Sequence, residues 1–223
     1  MEAIGNTPGS NQVYLCGLVV TAPVKSSDYG EDFFDLQLSV KRLSSIVDTI
    51  PMTIPEAFIK AEKIKLGSHI AVIGEFRSYN KIEDGRSKLM LSVFVNEITK
   101  NIDDTNPNII EVSGYICKMP IYRTTPFNRE IADILIASNR GGGKSDYLPA
   151  IAWGRNARFA KNMTVGEQIN ISGRIQSREY QKRLDNGQTE TRTAYEISVN
   201  QISREALTTQ LGDTNFISKL GLG

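Results

Sequence analysis

The sequence predicts an all-β chain of two tandem five-stranded Greek-key barrels, each with a short helix between its third and fourth strands. Three observations carry this expectation. Apolar and polar residues alternate in strand-length runs, as in Ile169–Tyr180. Glycine-marked turns separate those runs. The chain also repeats: Leu66-Gly-Ser-His-Ile-Ala-Val-Ile-Gly74 parallels Val165-Gly-Glu-Gln-Ile-Asn-Ile-Ser-Gly173 at an offset of 99. Val95-Asn-Glu-Ile98 parallels Val199-Asn-Gln-Ile202 at an offset of 104, so the second copy carries extra residues in between.

The first copy spans 11–100. Gly17-Leu-Val-Val ends its opening strand-like run, as Gly114-Tyr-Ile-Cys does in the second copy. A short helix is read at about 55–62, starting at Pro55, whose fixed φ suits a first helical turn. Asn101-Ile-Asp-Asp-Thr-Asn-Pro107 is polar and contains a proline, which marks a linker. The second copy spans 108–205. Its strands are read at about 108–119, 130–139, 146–153, 167–180 and 191–203, with a helix at 154–161. Arg140-Gly-Gly-Gly-Lys144 and Asp185-Asn-Gly187 read as hairpin turns. Residues 206–223 form a tail. Five strands with a helix between the third and fourth is the OB-fold order.

Composition narrows the function classes. The 223 residues are 40% apolar and 23% charged, which excludes a disordered tail protein or a collagen-like chain. No apolar run reaches the ~20 residues that span a bilayer, and the N-terminus shows no secretory pattern. The two cysteines, Cys16 and Cys117, sit in apolar runs and read as buried reduced thiols. A single His, His69, leaves no His-rich metal site and no nucleophile motif beside it. No catalytic residue, cofactor or metal is expected.

The net charge of +1 hides an asymmetry. Residues 1–106 hold 11 Lys/Arg against 14 Asp/Glu, whereas 107–205 hold 14 against 10. The second half is the better partner for an anion. On its fourth strand Ile169, Ile171 and Ile175 alternate with a row containing Arg174, Gln176, Arg178 and Tyr180. That row is read as facing outward. On the third strand Tyr147, Pro149, Ile151 and Trp153 share a face, and the pattern leaves Trp153 between core and surface. Arg155 and Arg158 follow on the helix, Arg140 and Lys144 flank one hairpin, and Lys182 and Arg183 sit in the other. Cations interleaved with rings suit single-stranded nucleic acid, because guanidinium pairs with phosphate and a flat ring stacks on any base.

The second copy resembles the bacterial single-stranded DNA-binding (SSB) proteins. The matching residues are Thr125-Pro126, Glu130-Ile-Ala132, Ala137-Ser-Asn-Arg140, Trp153-Gly-Arg155, Gly166 and Ile171-Ser-Gly-Arg-Ile-Gln-Ser-Arg-Glu-Tyr180, then Gly187, Glu196 and Ile197. The resemblance implies stacking rings at Tyr147, Trp153 and Tyr180, sequence-independent binding of single-stranded DNA in replication, recombination or repair, and no chemistry. It also implies a four-barrel assembly, reached here by a homodimer, possible replication or repair partners, and a cytoplasmic, nucleoid-associated protein.

The first copy departs from that pattern. Counting back ungapped places Ile54 opposite Trp153, Asp48 opposite Tyr147 and Lys81 opposite Tyr180. Arg77, Tyr79, Lys81, Arg86 and Lys88 leave a basic hairpin suited to weaker contact, so the copy is also a candidate for assembly. The tail lacks the acidic stretch and terminal Pro-Phe common in the family.

Two rival readings compete with this one. Gly141-Gly-Gly-Lys-Ser145 is not a phosphate loop: Ser138 stands where its first Gly belongs, and the segment leads into a strand. The alternative to strand binding is a primosome-type accessory module that binds protein and touches DNA weakly.

Overall fold

The computed structural model describes residues 10–26, 32–83, 86–183 and 187–204. The tail at 206–223, Glu31 and the Asp185-Asn186 part of the second hairpin turn lie outside the described residues. Among the described residues, twelve strands and two helices run in the order β1 (Asn11–Val19), β2 (Val24–Lys25), β3 (Phe33–Lys41), β4 (Val47–Pro55), α1 (Glu56–Ala61), β5 (His69–Glu83), β6 (Arg86–Thr99), β7 (Asn108–Ile116), β8 (Ile121–Thr124), β9 (Glu130–Arg140), β10 (Lys144–Trp153), α2 (Arg155–Ala160), β11 (Gln168–Arg183) and β12 (Thr189–Ser203). The expected strands and helices of the second copy are all present, with the first strand ending at Ile116 and not at 119. The short edge strands β2 and β8 carry no clear alternation, so the sequence pattern does not announce them.

Each copy closes by the same pairings. β1 pairs with β5 and, past Gly17, with β3; β7 pairs with β11 and β9. The third strand pairs in parallel with the fifth, through Met52↔Val93 in one barrel and Ala150↔Ile197 in the other. Every second residue points inward, and Leu36, Leu38, Ile50, Met52, Val72 and Phe76 fill the first barrel. Ile134, Ile136, Leu148, Ile169, Ile171, Ile175 and Ile197 fill the second. Burying each such side chain contributes roughly 1.5–3 kcal/mol. A bulge interrupts β5 between Ile73 and Gly74, and β11 between Ser172 and Gly173. At Gly173 a Cβ would lie 2.2 Å from the Ser198 carbonyl oxygen, so only glycine allows that approach.

The helices are short, six residues each. Pro55 is the N-cap of α1, one position before the first turn in which it was expected. Gly154 caps α2 with φ of 52°, a left-handed conformation. Ala157 and Ala160 turn inward beside Met163 to close the barrel end. Cys16 is buried, whereas Cys117 is only half-buried, since it lies just past the end of β7.

The two barrels form one continuous 12-stranded sheet through antiparallel β1 and β7, from Asn11↔Val112 to Leu15↔Asn108. Within each barrel a matched asparagine ties the first strand to the fourth: Asn11 donates to the Phe76 carbonyl and accepts its N–H, and Asn108 does the same with Ile175. Contacts between the barrels are also matched. Asp48 accepts the Ser177 N–H at 2.8 Å, and Asp146 accepts the Ser78 N–H at 2.8 Å. The Ser177 hydroxyl in turn accepts the Thr49 N–H, and the Ser78 hydroxyl accepts the Tyr147 N–H. These pairs relate the copies by an offset of 98 in the third strand. Thr49 therefore stands opposite Tyr147 and Pro55 opposite Trp153, one residue away from the ungapped count. Gly154 is the extra residue that produces the shift.

Candidate nucleic-acid interface

Strand register assembles the site. In the second barrel Ile151 pairs with Ser198, and Ser198 pairs with Arg174. Paired residues share a face of the sheet. Tyr147, Pro149, Ile151 and Trp153 of β10 therefore lie on the same outer face as Glu196 and Ser198 of β12 and Arg174, Gln176, Arg178 and Tyr180 of β11. All three rings are open to solvent: Tyr147 is 47% exposed, Trp153 39% and Tyr180 37%. Trp153, left open by its alternation pattern, is a surface residue. Trp153 and Tyr180 sit at opposite ends of the face. Two residues along β10 and six along β11 separate them from the Ile151–Arg174 row, which spans ~26 Å at the usual strand rise.

The middle of this face differs from the expected open polar row. Gln176 is buried and donates to Glu196 Oε1 at 2.8 Å. Arg174 is half-buried, and its Nη2 donates to Gln176 Oε1 at 3.1 Å. Burial lowers the Arg174 pKa from its ordinary value, with Arg42 of the first barrel adding to the effect and Asp48 opposing it. The reason is the neighbouring barrel: β4 packs beside β11, which covers what an isolated strand would expose. Arg178 lies further out. Its side chain is 56% exposed, its Nε is 3.7 Å from Glu196 Oε1, and its guanidinium carbon is 5.9 Å from the Tyr180 ring centroid. Cation and ring thus form one unit at the root of the β11–β12 arm, which carries Lys182 and Arg183 outward.

The other cations are divided by their partners. Lys144 and Arg155 are exposed. Arg158 is exposed but paired with Glu130, which also accepts from Tyr122. Arg140 is largely engaged at 3.3 Å with the buried carboxylate of Asp146.

The first barrel holds aromatic rings that alignment of the three positions does not find. Phe33 of β3 and Phe94 of β6 lie 5.2 Å apart between centroids, tilted by 46°. The Arg77 guanidinium sits 3.7 Å over the Phe94 ring and pairs with Glu75 at 3.0 Å. With Arg140, Gly141, Gly142 and Lys144 of the second barrel's hairpin they line an open cleft of about 580 Å³. These rings sit on β3 and β6, not on the strands equivalent to those that carry Tyr147, Trp153 and Tyr180 in the second barrel. The signal available in the sequence was the Phe33-Phe34 pair and Phe94, each in a strand-length run. Tyr79 and Lys81 are half-buried and Lys88 is exposed on the β5–β6 arm; the Arg86 side chain lies outside the described residues.

Among the described residues, no helix is long and apolar enough to cross a membrane.

Residues 107–204 match the model of the single-strand binding protein family. A single-stranded DNA-binding protein of Clostridium tetani is 31% identical over 83 residues, covering 34% of this chain and 57% of that protein. Single-stranded DNA-binding protein 1 of Staphylococcus aureus is 30% identical over 83 residues, covering 34% of this chain and 50% of that protein. The chain thus spans about half the length of these curated relatives. The crystal structure of wild-type single-stranded DNA binding protein from Thermus aquaticus superposes with a TM-score of 0.68 at 18% identity, covering 90% of this chain and 95% of that one. A deletion mutant of the same Thermus protein gives 0.64 at 19% identity, covering 89% and 95%. The Thermus likeness shows the two-barrel fold. The second barrel, residues 107–204, is thus similar to the single-strand binding protein family, and its relatives in Clostridium and Staphylococcus are single-stranded DNA-binding proteins.

Proposed function

We propose that this protein binds single-stranded DNA without reading its sequence, through base stacking and backbone electrostatics, and does no chemistry on it. The observation that carries the reading is the shared exposed face of Tyr147, Trp153 and Tyr180, with Arg178 beside the last ring. Stacking on each ring contributes about 1–3 kcal/mol per base, and every base offers a π face. Arg155, Arg178, Lys182, Arg183 and Lys144 supply the cations for phosphate, with Arg158 engaged by Glu130, Arg140 by Asp146 and Arg174 by Gln176. The match of residues 107–204 to the single-strand binding protein family, and the similarity to single-stranded DNA-binding proteins of Clostridium tetani and Staphylococcus aureus, support the same ligand.

The strand continues from the β9–β10 hairpin onto Phe33, Phe94 and Arg77 of the first barrel, which acts as a weaker second platform. Two chains associate into a four-barrel homodimer that protects exposed strands in replication, recombination or repair, in a cytoplasmic, nucleoid-associated setting. Labelled oligo-dT titrated into the full chain tests the ligand. Saturable binding that weakens with salt and is outcompeted by single-stranded DNA but not by duplex is the expected result. Equal competition by duplex, or no binding, would refute it. Size measurement at several protein concentrations tests the dimer.

A further inference from the structure

We propose that Cys16, His69 and Asp104 bind one divalent cation of the zinc class and so tie the inter-barrel linker to the first barrel. The three residues come from separate elements: Cys16 from β1, His69 from the first position of β5 and Asp104 from the linker. Their ligand atoms converge within 4.8 Å of one another. Cys16 Sγ lies 3.9 Å from His69 Nε2 and 3.6 Å from Asp104 Oδ1, and His69 Nε2 lies 3.1 Å from Asp104 Oδ1. Tetrahedral zinc with its usual bond lengths requires edges of ~3.5 Å for S···N and S···O and ~3.4 Å for N···O. Each observed edge is within about 0.4 Å of that geometry, so small rotations would seat the ion. Thiolate, imidazole and carboxylate are the donor set zinc and cobalt prefer, and they disfavour magnesium or calcium.

The loop that carries Asp104 is held in place independently of any ion. The Tyr14 hydroxyl donates to the Asn101 carbonyl at 3.0 Å and accepts the Asp103 N–H at 2.8 Å. The Cys16 N–H donates to the Pro107 carbonyl at 2.8 Å. Asp103 Oδ1 accepts the Thr105 and Asn106 N–H groups, which fixes the turn. The carboxylate is therefore presented to a buried thiol and an exposed imidazole without ordering a free loop. Asp104 is largely exposed on the solvent side, where water would take the fourth position. Binding replaces the thiol proton by the metal: the S–H bond breaks, an S–metal bond forms, and one proton goes to solvent.

Cobalt(II) titrated into the tag-free, metal-stripped full chain tests this. The expected result is one equivalent per chain, a near-ultraviolet thiolate-to-cobalt charge-transfer band, and bleaching of that band by zinc. Asp104→Asn, on the exposed linker, should weaken binding by more than the roughly 10–100-fold that loss of an outer partner costs, with an unchanged circular dichroism spectrum. His69→Gln should do the same, and Cys16→Ser should remove the band. Cobalt binding without a thiolate band, affinity unchanged in Asp104→Asn and His69→Gln, or no binding at micromolar cobalt would overturn the proposal.

Discussion

Asp48, fully buried in the first barrel, accepts the backbone N–H of Ser177 in the second at 2.8 Å. The same carboxylate is gripped by Arg42 through two hydrogen bonds of 2.7 Å. One side chain thus satisfies a guanidinium and a strand amide that belong to different barrels. Asp48→Ala removes both acceptors and leaves a partly buried cation. It should cost about 3 kcal/mol in urea unfolding, since breaking a buried pair is far worse than never having one. Ser177→Ala should cost less, about 1 kcal/mol, because the Ser177 N–H remains bonded and only the Thr49 N–H loses its acceptor.

Asp146 is the counterpart of Asp48, but its pairing is weaker. Burial raises its pKa above the ordinary carboxylate range, while the Ser78 N–H, Arg140 and Arg77 pull it down. A carboxyl raised in the native state binds its proton more tightly folded than unfolded. Its charge is a cost at neutral pH, and the cost is relieved as pH falls through the native pKa towards the unfolded one. Asp146→Asn keeps an acceptor for Ser78 and has no charge to titrate. Wild type should therefore gain stability relative to Asp146→Asn between pH 7 and pH 4, measured by urea midpoints. A relative loss over that range would contradict the assignment.

Gly173 marks the bulge of β11, where a Cβ would meet the Ser198 carbonyl at 2.2 Å. Gly173→Ala should destabilise the protein by about 1–3 kcal/mol, the usual cost of forced overpacking. Gly74→Ala, 2.2 Å from the Phe94 carbonyl, should behave alike and should also disturb the Phe94 platform.

Rings and cations separate in salt. Tyr180→Ala and Tyr147→Ala should each weaken oligo-dT binding by roughly 5–150-fold, the equivalent of about 1–3 kcal/mol, with the salt slope unchanged. Arg178→Ala should flatten the slope by about 0.7 to 1, one phosphate contact. Phe94→Ala should lose less than Tyr180→Ala, because the second platform has fewer exposed cations around it.

Much of this was legible in the sequence because period two and duplication are local or near-identical signals. Ile169, Ile171 and Ile175 had to face one way, and Gly173 and Gly74 had to be equivalent. What escaped depended on contacts between copies. Arg174 and Gln176 alternate like open residues, yet β4 covers them through Asp48 and Thr49, which no pattern in β11 reveals. The counterpart of Tyr147 was displaced by one residue because Gly154 is inserted at a strand–helix junction, where conformation and not hydrophobicity sets the length. The Phe33–Phe94 pair joins residues far apart in sequence, and the β3–β4–β6 pairing brings them together.

The central claim is that the second barrel's exposed rings form the track for unpaired nucleotides. Trp153 is the single tryptophan of the chain, so its fluorescence reports on that face alone. Titration with oligo-dT should quench it to saturation, with an affinity that falls as salt rises and drops further in Tyr180→Ala. Unchanged emission together with no mobility shift of the oligonucleotide would contradict the account.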